Sequence, residues 1–300
     1  MLTTNFGIEI EMTGLSRKEA AEAAREVLGG ELLYGGTYYD TYLLLAADGR
    51  TWKFTFDGSI NCQVRVNGKK EPANKTYSTE LVSPILNYEN DIETLQKVVR
   101  ALRARGAFTN SSCGIHIHLD GKEHTPRSIR NFVNIIYARN DLFYKALRIN
   151  SQRVKYCKRL DAQLVQKMNK AKPKTLQAIE NIWYAPYGGS RQLQYHNSRY
   201  HFLNLHSFFH GHKTVELRGF NSTLHAGEIR SFIVLALALN HQALNQKFAS
   251  TRKPQVENEK FAMRTYLNRL GLIGDEFKAC REHLCKHLSG SAAWRFRRAA

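Results

Sequence analysis

Two stretches decide the fold of this 300-residue chain, Phe6-Gly-Ile-Glu-Ile-Glu-Met12 and Cys113-Gly-Ile-His-Ile-His-Leu119. In both, apolar and ionisable residues alternate with a period of two, which is typical of a β-strand with one face in the core. Successive side chains of a strand point to opposite faces of its sheet. We therefore expect Glu9 and Glu11 to share one face, and His116 and His118 to share one face as well.

The same alternation returns in a third segment, Thr214-Val-Glu-Leu-Arg-Gly-Phe220. Here Glu216 and Arg218 are expected on one face, opposite Val215 and Leu217. Between residues 38 and 66, β-like runs separated by Asp-Gly and Asn-Gly turns predict antiparallel hairpins. A further short strand that ends at a proline is predicted over residues 79–84, and it carries Glu80.

Helical signals lie between these strands. A capping box of Ser16 and Glu19 predicts a helix that ends at Gly29, and Asn90 is predicted to begin a second helix that runs to Arg105. Further helices are expected over residues 126–148 and 227–248. Strands interrupted by helices without a strict βαβ alternation predict an α+β fold, in which helices cover a mainly antiparallel sheet.

No repeat, low-complexity tract or proline-rich linker divides the sequence. We expect one main domain over residues 1–250, with a basic, helical insertion at about 150–195. Residues 251–300 are predicted to form a basic helical extension.

The composition is that of a globular protein with a strong positive charge. The chain has 44 Lys and Arg against 26 Asp and Glu, a formal net charge of +18, which attracts anions such as nucleotides, nucleic acid or acidic peptides without choosing among them. The longest apolar run, Phe232 to Leu239, is far shorter than the ~20 residues of a membrane-spanning helix. Five scattered cysteines without a CxxC pair fit a reducing compartment. We expect a cytoplasmic protein that does not associate with membranes.

The acidic and histidine pairs point to a metal. Carboxylates on one inward face repel one another unless cations lie among them, and oxygen ligands with an imidazole suit Mg²⁺ or Mn²⁺ rather than zinc. Because Mg²⁺ takes part of its coordination from substrate phosphates, a nucleotide is the expected companion. Each pair alone is also compatible with the solvated face of an edge strand.

The order of these motifs along the chain carries a resemblance to a known family. The motifs are Gly7-Ile-Glu-Ile-Glu11, Asp57-Gly-Ser59, Glu80-Leu-Val-Ser-Pro84, Gly114-Ile-His-Ile-His118, Asn204 and Thr214-Val-Glu-Leu-Arg-Gly-Phe220. Together they resemble the amidoligase family, which belongs to the glutamine synthetase and glutamate-cysteine ligase superfamily of carboxylate-amine ligases. The matched motifs span roughly Phe6 to Phe220, so residues 1–250 would be the amidoligase catalytic domain.

The resemblance implies a curved antiparallel sheet that forms a funnel, like the catalytic domain of glutamine synthetase. ATP would enter from one side, and the amine and carboxylate substrates from the other. The positions that match metal ligands for Mg²⁺ or Mn²⁺ are Glu9, Glu11, Glu80, His116 and Glu216. Arg218 would meet the transferred phosphate, and His118 and Asn204 would lie by the nucleotide. Asp57 would orient the incoming amine, or it would only begin the Asp-Gly turn.

The implied reaction is phosphorylation of a substrate carboxylate by ATP, followed by attack of an amine on the acyl phosphate. The substrates could be an amino acid, a peptide or an anionic polymer, and Arg191 and Arg199 are either anion-binding residues or solvated arginines. Two alternatives stay open: a phosphotransferase of the same superfamily, similar to the guanidino kinases, and a non-catalytic basic protein that binds nucleic acid, which is not favoured.

Two secondary patterns lie near the end of the sequence. Cys280, His283 and His287 fall at helical spacing and form a minor candidate for a zinc site. The stretch Trp294-Arg-Phe-Arg-Arg298 mixes aromatic and basic residues, and it is interpreted as a solvated end.

Overall fold

The computed structural model describes residues 1–36 and 38–295. Within them lies a sheet of eight antiparallel strands, and a separate two-stranded hairpin. The eight strands are β1 (Phe6–Met12), β2 (Glu31–Tyr34), β3 (Tyr42–Leu45), β4 (Thr51–Thr55), β7 (Thr79–Val82), β8 (Gly114–Asp120), β9 (Leu203–Asn204) and β10 (Thr214–Asn221). The hairpin consists of β5 (Gln63–Val66) and β6 (Lys69–Pro72).

The sheet is open, with the strand order β2-β3-β4-β7-β1-β8-β10-β9. The two stretches that decide the fold therefore form adjacent strands in the interior of the sheet, β1 and β8. An antiparallel sheet with helices confirms the predicted α+β class.

The helices of the described residues lie between and after the strands. They are α1 (Arg17–Leu28), α2 (Tyr88–Arg105), α3 (Pro126–Ala146), α4 (Ala162–Ala171), α5 (Leu176–Tyr184), α6 (His206–His210), α7 (Ala226–Asn245), α8 (Glu259–Arg269) and α9 (Lys278–Cys285). None of them is both long and apolar enough to cross a membrane.

The register confirms the predicted faces of the alternating strands. Glu9 pairs with His116, Glu11 pairs with Glu80 on β7, and His118 pairs with Glu216 on β10. Residues that pair directly in an antiparallel ladder project to the same face. The ionisable residues of four adjacent strands therefore share one face of the sheet.

The opposite face is apolar and forms the core. Ile8, Ile10, Ile115 and Ile117 are each at most 1% exposed. Helices α1 and α7 contact this side of the sheet, and α2 and α3 pack on these helices in turn. Burial on one side and polar residues on the other explain why the strands alternate with a period of two.

One expectation about a helix boundary is wrong. The second helix is capped by Asn87, whose side chain accepts the N–H of Glu89, rather than by Asn90. The earlier start is favoured because Asp91 accepts the backbone N–H of Asn87, so both polar groups at this end are satisfied.

The predicted insertion is helical and contributes to the core. It holds a 3₁₀ turn over Ser151–Tyr156, then α4 and α5. Apolar side chains from both helices, such as Met168 and Trp183, are fully buried in the main hydrophobic cluster. The division of the chain into a main domain, an insertion and an extension stays a prediction. Of the proposed solvated end, residues 296–298 lie outside the described part.

Candidate active site

The polar face of the sheet brings the predicted site residues together. Glu9 contacts both histidines: its Oε2 lies 2.8 Å from Nδ1 of His116, and its Oε1 lies 3.2 Å from Nε2 of His118. On the other side of His116, Nε2 lies 3.7 Å from Oε1 of Glu11. The contacts follow from the register, because β1 and β8 are neighbours.

On this face of the sheet, three groups of donor atoms among the described residues are close enough to hold a cation. In each group, one atom from every residue lies within 4.8 Å of the others. The groups are Glu9, His118 and Glu216; Glu9, Glu80 and His116; and Glu11, Asp57 and Glu80. The first two groups share Glu9, and the last two share Glu80, so the groups are continuous. We call this set the row; it consists of Glu9, Glu11, Glu80, His116, His118 and Glu216, with Asp57 at its border.

Two carboxylates in this row resist ionisation. Burial, and then the neighbouring carboxylate of Asp57, raise the pKa of Glu11 to about 8. Burial, followed by the charges of Glu9 and Glu11, raises the pKa of Glu80 well above its usual range. Close carboxylates in a low-dielectric site cannot all carry a charge without a cation among them.

At the other end of the row, positive and negative side chains lie next to each other and stabilise each other's charge. Burial opposes the charged form of His118, but the carboxylates of Glu9 and Glu216 raise its pKa to about 9. Burial also opposes ionisation of Glu216, yet Arg218, followed by the two histidines, lowers its pKa to about 2. Burial and the Arg218 guanidinium lower the pKa of His116 to about 4, so its imidazole is neutral and can donate a lone pair.

These residues fit a hard divalent cation. The donors are carboxylate oxygens with an imidazole, which is the set that suits Mg²⁺ or Mn²⁺. A divalent cation would also counteract the burial and the repulsion between carboxylates that raise the pKa of Glu11 and of Glu80. The residues that could hold it are Glu9, Glu11, Glu80, His116 and Glu216.

Glu216 is held in place by two neighbours. Its Oε1 accepts a hydrogen bond from Arg218 at 2.5 Å, and its Oε2 accepts one from the Asn204 amide at 2.6 Å. Asn204 is 1% exposed, and its carbonyl oxygen accepts the N–H of His206. The structure thus places Asn204 behind Glu216, with both ends of its amide already hydrogen-bonded. Its role by the nucleotide stays a prediction.

Arg218 extends from an irregular part of β10. The pairing of β10 with β8 shifts between Leu217 and Phe220. Beyond its bond to Glu216, the Arg218 guanidinium donates from Nε to the carbonyl of Tyr156, and the side chain lines the cleft over the sheet. A fork of donors held on two sides is suited to an oxyanion.

Asp57 lies in the turn after β4 and faces the row. Its Oδ1 accepts the N–H of Ser59 at 2.6 Å, and its backbone is fixed by the hydroxyl of Ser78. The carboxylate also reaches the group that contains Glu11 and Glu80. The two interpretations of Asp57 are therefore compatible, because one oxygen begins the turn while the side chain borders the site.

A cleft of about 1080 Å³ opens over this face of the sheet. It is lined by Arg218 and by the residues of the row other than Glu216, and also by the basic residues Lys53, Arg153 and Arg199. Tyr39 and Tyr195 border it and are hydrogen-bonded to each other. The size is that of a pocket for a nucleotide or another ligand of similar volume.

The two arginines considered for an anionic substrate differ in position. Arg199 lines the cleft, whereas Arg191 forms an ion pair with Glu180 and is not among the lining residues. Arg153 also lines the cleft, but it was not predicted as a site residue, because in the sequence it is only one of several basic residues of the insertion. A weak signal exists in Gly114, where a side chain would overlap the Arg153 guanidinium.

Among the described residues, the three members of the minor zinc candidate do not come together as one group of possible metal ligands. Cys280 is buried beside Ser231, and the described residues bring His283 together with His225 and Glu228 instead. In the group of His225, Glu228 and His283, Nδ1 of His225 accepts the N–H of Glu228 and so caps α7. The carboxylate of Glu228 forms an ion pair with Lys286. The cluster is thus explained by helix capping and an ion pair.

Comparison with known proteins agrees with the geometry. The family model described as "Putative amidoligase enzyme" matches residues 2–240, which contain every residue of the row and of the cleft named above. No curated protein matches the chain. Because the family model covers well over half of the sequence, this chain belongs to the amidoligase family.

Proposed function

We propose that this protein is an ATP-dependent carboxylate-amine ligase that works through an acyl phosphate. One observation carries the proposal: the carboxylates and imidazoles of the row, except Glu216, line the same cleft as Arg218, and Glu216 is hydrogen-bonded to Arg218. The row supplies metal ligands, and the arginine supplies donors for a phosphoryl group. The family match supports ligase chemistry.

The metal-binding residues set the position of the reacting groups. When bound, Mg²⁺ would neutralise the phosphates of ATP and lower the cost of moving charge during phosphoryl transfer. Glu9 and Glu216 anchor one end of the row, and Glu11 and Glu80 anchor the other. His118, which is protonated because of its carboxylate neighbours, can donate a hydrogen bond to a phosphate oxygen.

In the first step, a carboxylate oxygen of the substrate attacks the γ-phosphorus, and the bond to ADP breaks. Charge spreads over the oxygens of the transferred group, within reach of the Arg218 fork. Arg218 is restrained by Glu216 and by the carbonyl of Tyr156, so it needs little reorganisation.

In the second step, the amine attacks the acyl carbon, and phosphate leaves. The attacking nitrogen must lose a proton, and a carboxylate that borders the row is the natural acceptor. Asp57 lies in that position, next to Glu11 and Glu80. The products are the amide, ADP and phosphate.

The proposal is tested with hydroxylamine, a small nucleophile that replaces the unknown amine. Purified protein is incubated with ATP, Mg²⁺, hydroxylamine and pools of amino acids, dicarboxylic acids and short peptides. We expect at least one pool to yield a hydroxamate and ADP in equal amounts, since hydroxylamine captures an acyl phosphate.

Glu216→Gln should lower the turnover by about 10²-fold or more, because it removes the partner of Arg218 and a metal ligand. The matched control is Glu26→Gln, at an exposed position paired with Arg105, which should retain full turnover. Release of ADP together with a phosphorylated product and no hydroxamate would instead identify a phosphotransferase.

A further inference from the structure

The strongest feature outside the proposed machinery is a buried arginine on the wall of the cleft. Arg153 is 2% exposed and lies in the 3₁₀ turn of Ser151–Tyr156. Its Nη1 donates to the carbonyl of Phe220 at 2.5 Å, and its Nη2 donates to the carbonyl of Arg218 at 3.2 Å. Both acceptors belong to the irregular part of β10.

No carboxylate pairs with this guanidinium. Over residues 1–36 and 38–295, no Asp or Glu oxygen lies within 4.0 Å of Arg153, whereas Arg218 has Glu216 at 2.5 Å. Carbonyl oxygens satisfy hydrogen bonds but do not neutralise a full charge. A buried charge without a counter-ion is costly and is rarely retained without a purpose.

The neighbouring backbone leaves room for this side chain. A Cβ on Gly114 would lie 2.0 Å from Nη2 of Arg153 and 2.5 Å from its Cζ, so the guanidinium covers the Gly114 backbone. The N–H of Gly114 donates to Glu11 at 2.6 Å, and the Arg153 charge acts on Glu11. Arg153 therefore borders the cleft beside Glu11.

The register shows which end of the row this is. Along β8 the polar face presents Gly114, His116 and His118 in turn, so Arg153 and His118 lie at opposite ends. Asp57 lies at the Arg153 end, because it groups with Glu11 and Glu80. If His118 contacts the phosphates of ATP, the Arg153 end is left for the other substrates.

We propose that Arg153 is a substrate-binding residue that pairs with the carboxylate of the acceptor substrate. This inference rests on the proposed ligase function and adds the residue that receives the acceptor. The bound carboxylate supplies the counter-ion that the free protein lacks. Two of the donors of Arg153 are fixed by carbonyls, so its plane is set before the substrate enters.

The test compares Arg153→Gln, which keeps a donor for the carbonyls but loses the charge, with Arg153→Lys, which keeps the charge but loses the fork. The exposed Arg159→Gln, six residues on and paired with Asp141, is the control. Three quantities are measured: the Tm of the free protein, the Kd for Mg²⁺ with a non-hydrolysable ATP analogue, and the KM for the carboxylate in hydroxamate formation.

For Arg153→Gln we expect a rise in KM of roughly 10- to 100-fold, which matches the loss of one charged hydrogen-bonded pair. The Kd for the nucleotide should stay within about twofold, and the Tm should not fall. Arg153→Lys should show a smaller rise in KM. A KM equal to that of the control, together with a lower Tm, would overturn the proposal in favour of a structural role. A raised nucleotide Kd with an unchanged KM would overturn it as well, by assigning Arg153 to phosphate.

A second arm separates this inference from the ligase proposal. Sodium acetate and sodium phosphate are each compared with sodium chloride at equal ionic strength, and the Tm is recorded. Acetate should raise the Tm of the native protein but not of Arg153→Gln. This result would support the anion site even if no carboxylate gave a hydroxamate. An equal rise in Tm with acetate in both proteins would refute the inference, whatever the ligase assay shows.

Discussion

At the scale of single residues, we expect Glu11 to determine how the proposed metal site responds to pH. Because its pKa is raised to about 8 in the free protein, its carboxyl group is mostly protonated at pH 7. A metal binds the ionised form, so binding must release protons. We expect the affinity for Mg²⁺ to rise between pH 6 and pH 8 and to level off above about pH 8.

Calorimetry in buffers with different ionisation enthalpies measures the released protons directly. Glu11→Gln should weaken Mg²⁺ binding and flatten its pH dependence, because the amide does not titrate in this range. Glu26→Gln again serves as the exposed control. An affinity for Mg²⁺ that is constant from pH 6 to pH 8 would contradict the assignment of Glu11 as a ligand.

The opposite case is His118, whose pKa is raised to about 9. It lies between Glu9 and Glu216 and keeps a positive charge at neutral pH. The row therefore has the protonated His118 at one end and the largely protonated Glu11 at the other. If the protein binds ATP as proposed, we expect this charge to attract the phosphates toward the histidine.

At the scale of elements, the start of α2 shows how a helix end is fixed by one carboxylate. Asp91 is 8% exposed; it accepts the N–H of Asn87 and forms two hydrogen bonds with Arg50. Burial opposes ionisation of Asp91, but the bonds from Arg50 and Asn87 bring its pKa below the ordinary value. We predict that Asp91→Asn lowers the free energy of unfolding by about 1–3 kcal/mol.

The pH dependence has a definite sign. A lowered pKa means that the stabilisation is fully present above the ordinary pKa of about 4 and is lost as the pH falls through the lower, folded value. Urea unfolding of the two proteins should thus differ by a constant amount from pH 8 to pH 5, and by less below pH 4. Asp48→Asn, at the exposed partner of Arg50, should have a much smaller effect. A difference that grows on acidification would refute the explanation.

Elements with a strong repeating signal were predictable from sequence. The alternation in β1 and β8 predicted both the strands and their polar face, because one side is buried and the other lines a cleft. The Ser16–Glu19 capping box forms as expected. The start of α2 was predicted at the wrong residue because Asn87 and Asn90 are both suitable N-caps. Only the hydrogen bond from the Asn87 N–H to Asp91 favours Asn87.

The site was predictable only as far as its residues lie on strands. Glu9, Glu11, Glu80, His116, His118 and Glu216 meet because pairing fixes their register. The burial of Arg153 could not be read from its own segment, since it depends on a bulge in β10 and on the backbone of Gly114. Contacts between irregular segments leave no periodic signal in a sequence.

At the scale of the whole molecule, the last segment of the chain belongs to the core. The family match ends at residue 240, yet α9 packs against α7, and residues such as Met263, Leu267 and Leu284 are fully buried. We predict that a chain that ends at residue 250 loses cooperative unfolding or becomes insoluble, because this removal exposes the apolar surface of α7.

Circular dichroism and calorimetry of the shortened chain check this prediction. Leu284→Ala in the full chain provides a milder change and should cost about 2–5 kcal/mol, while His287→Ala, at an exposed position, should cost little. A shortened chain with the Tm and cooperativity of the full protein would show that the segment is dispensable.

The molecule as a whole has a net charge of +18, although the row on its sheet contains several carboxylates. Only five of the 26 carboxylates lie in the row or at its border, and basic side chains such as Lys53, Arg153 and Arg199 also line the cleft. We propose that the positive field of the molecule draws anionic substrates toward it, and that a divalent cation bound by the row helps the cleft to accept them.

The central place of β1 has a consequence for biosynthesis. This strand leaves the ribosome before both of its neighbours, and its contacts reach far ahead in the chain: Glu9 meets His116 over 107 residues, and the carbonyl of Glu11 meets Ser222 over 211. During synthesis an apolar strand must therefore wait unpaired, which exposes it to association with other nascent chains. Charged residues within such a strand oppose that association. Glu9 and Glu11 would protect the growing chain long before the site that needs them has formed.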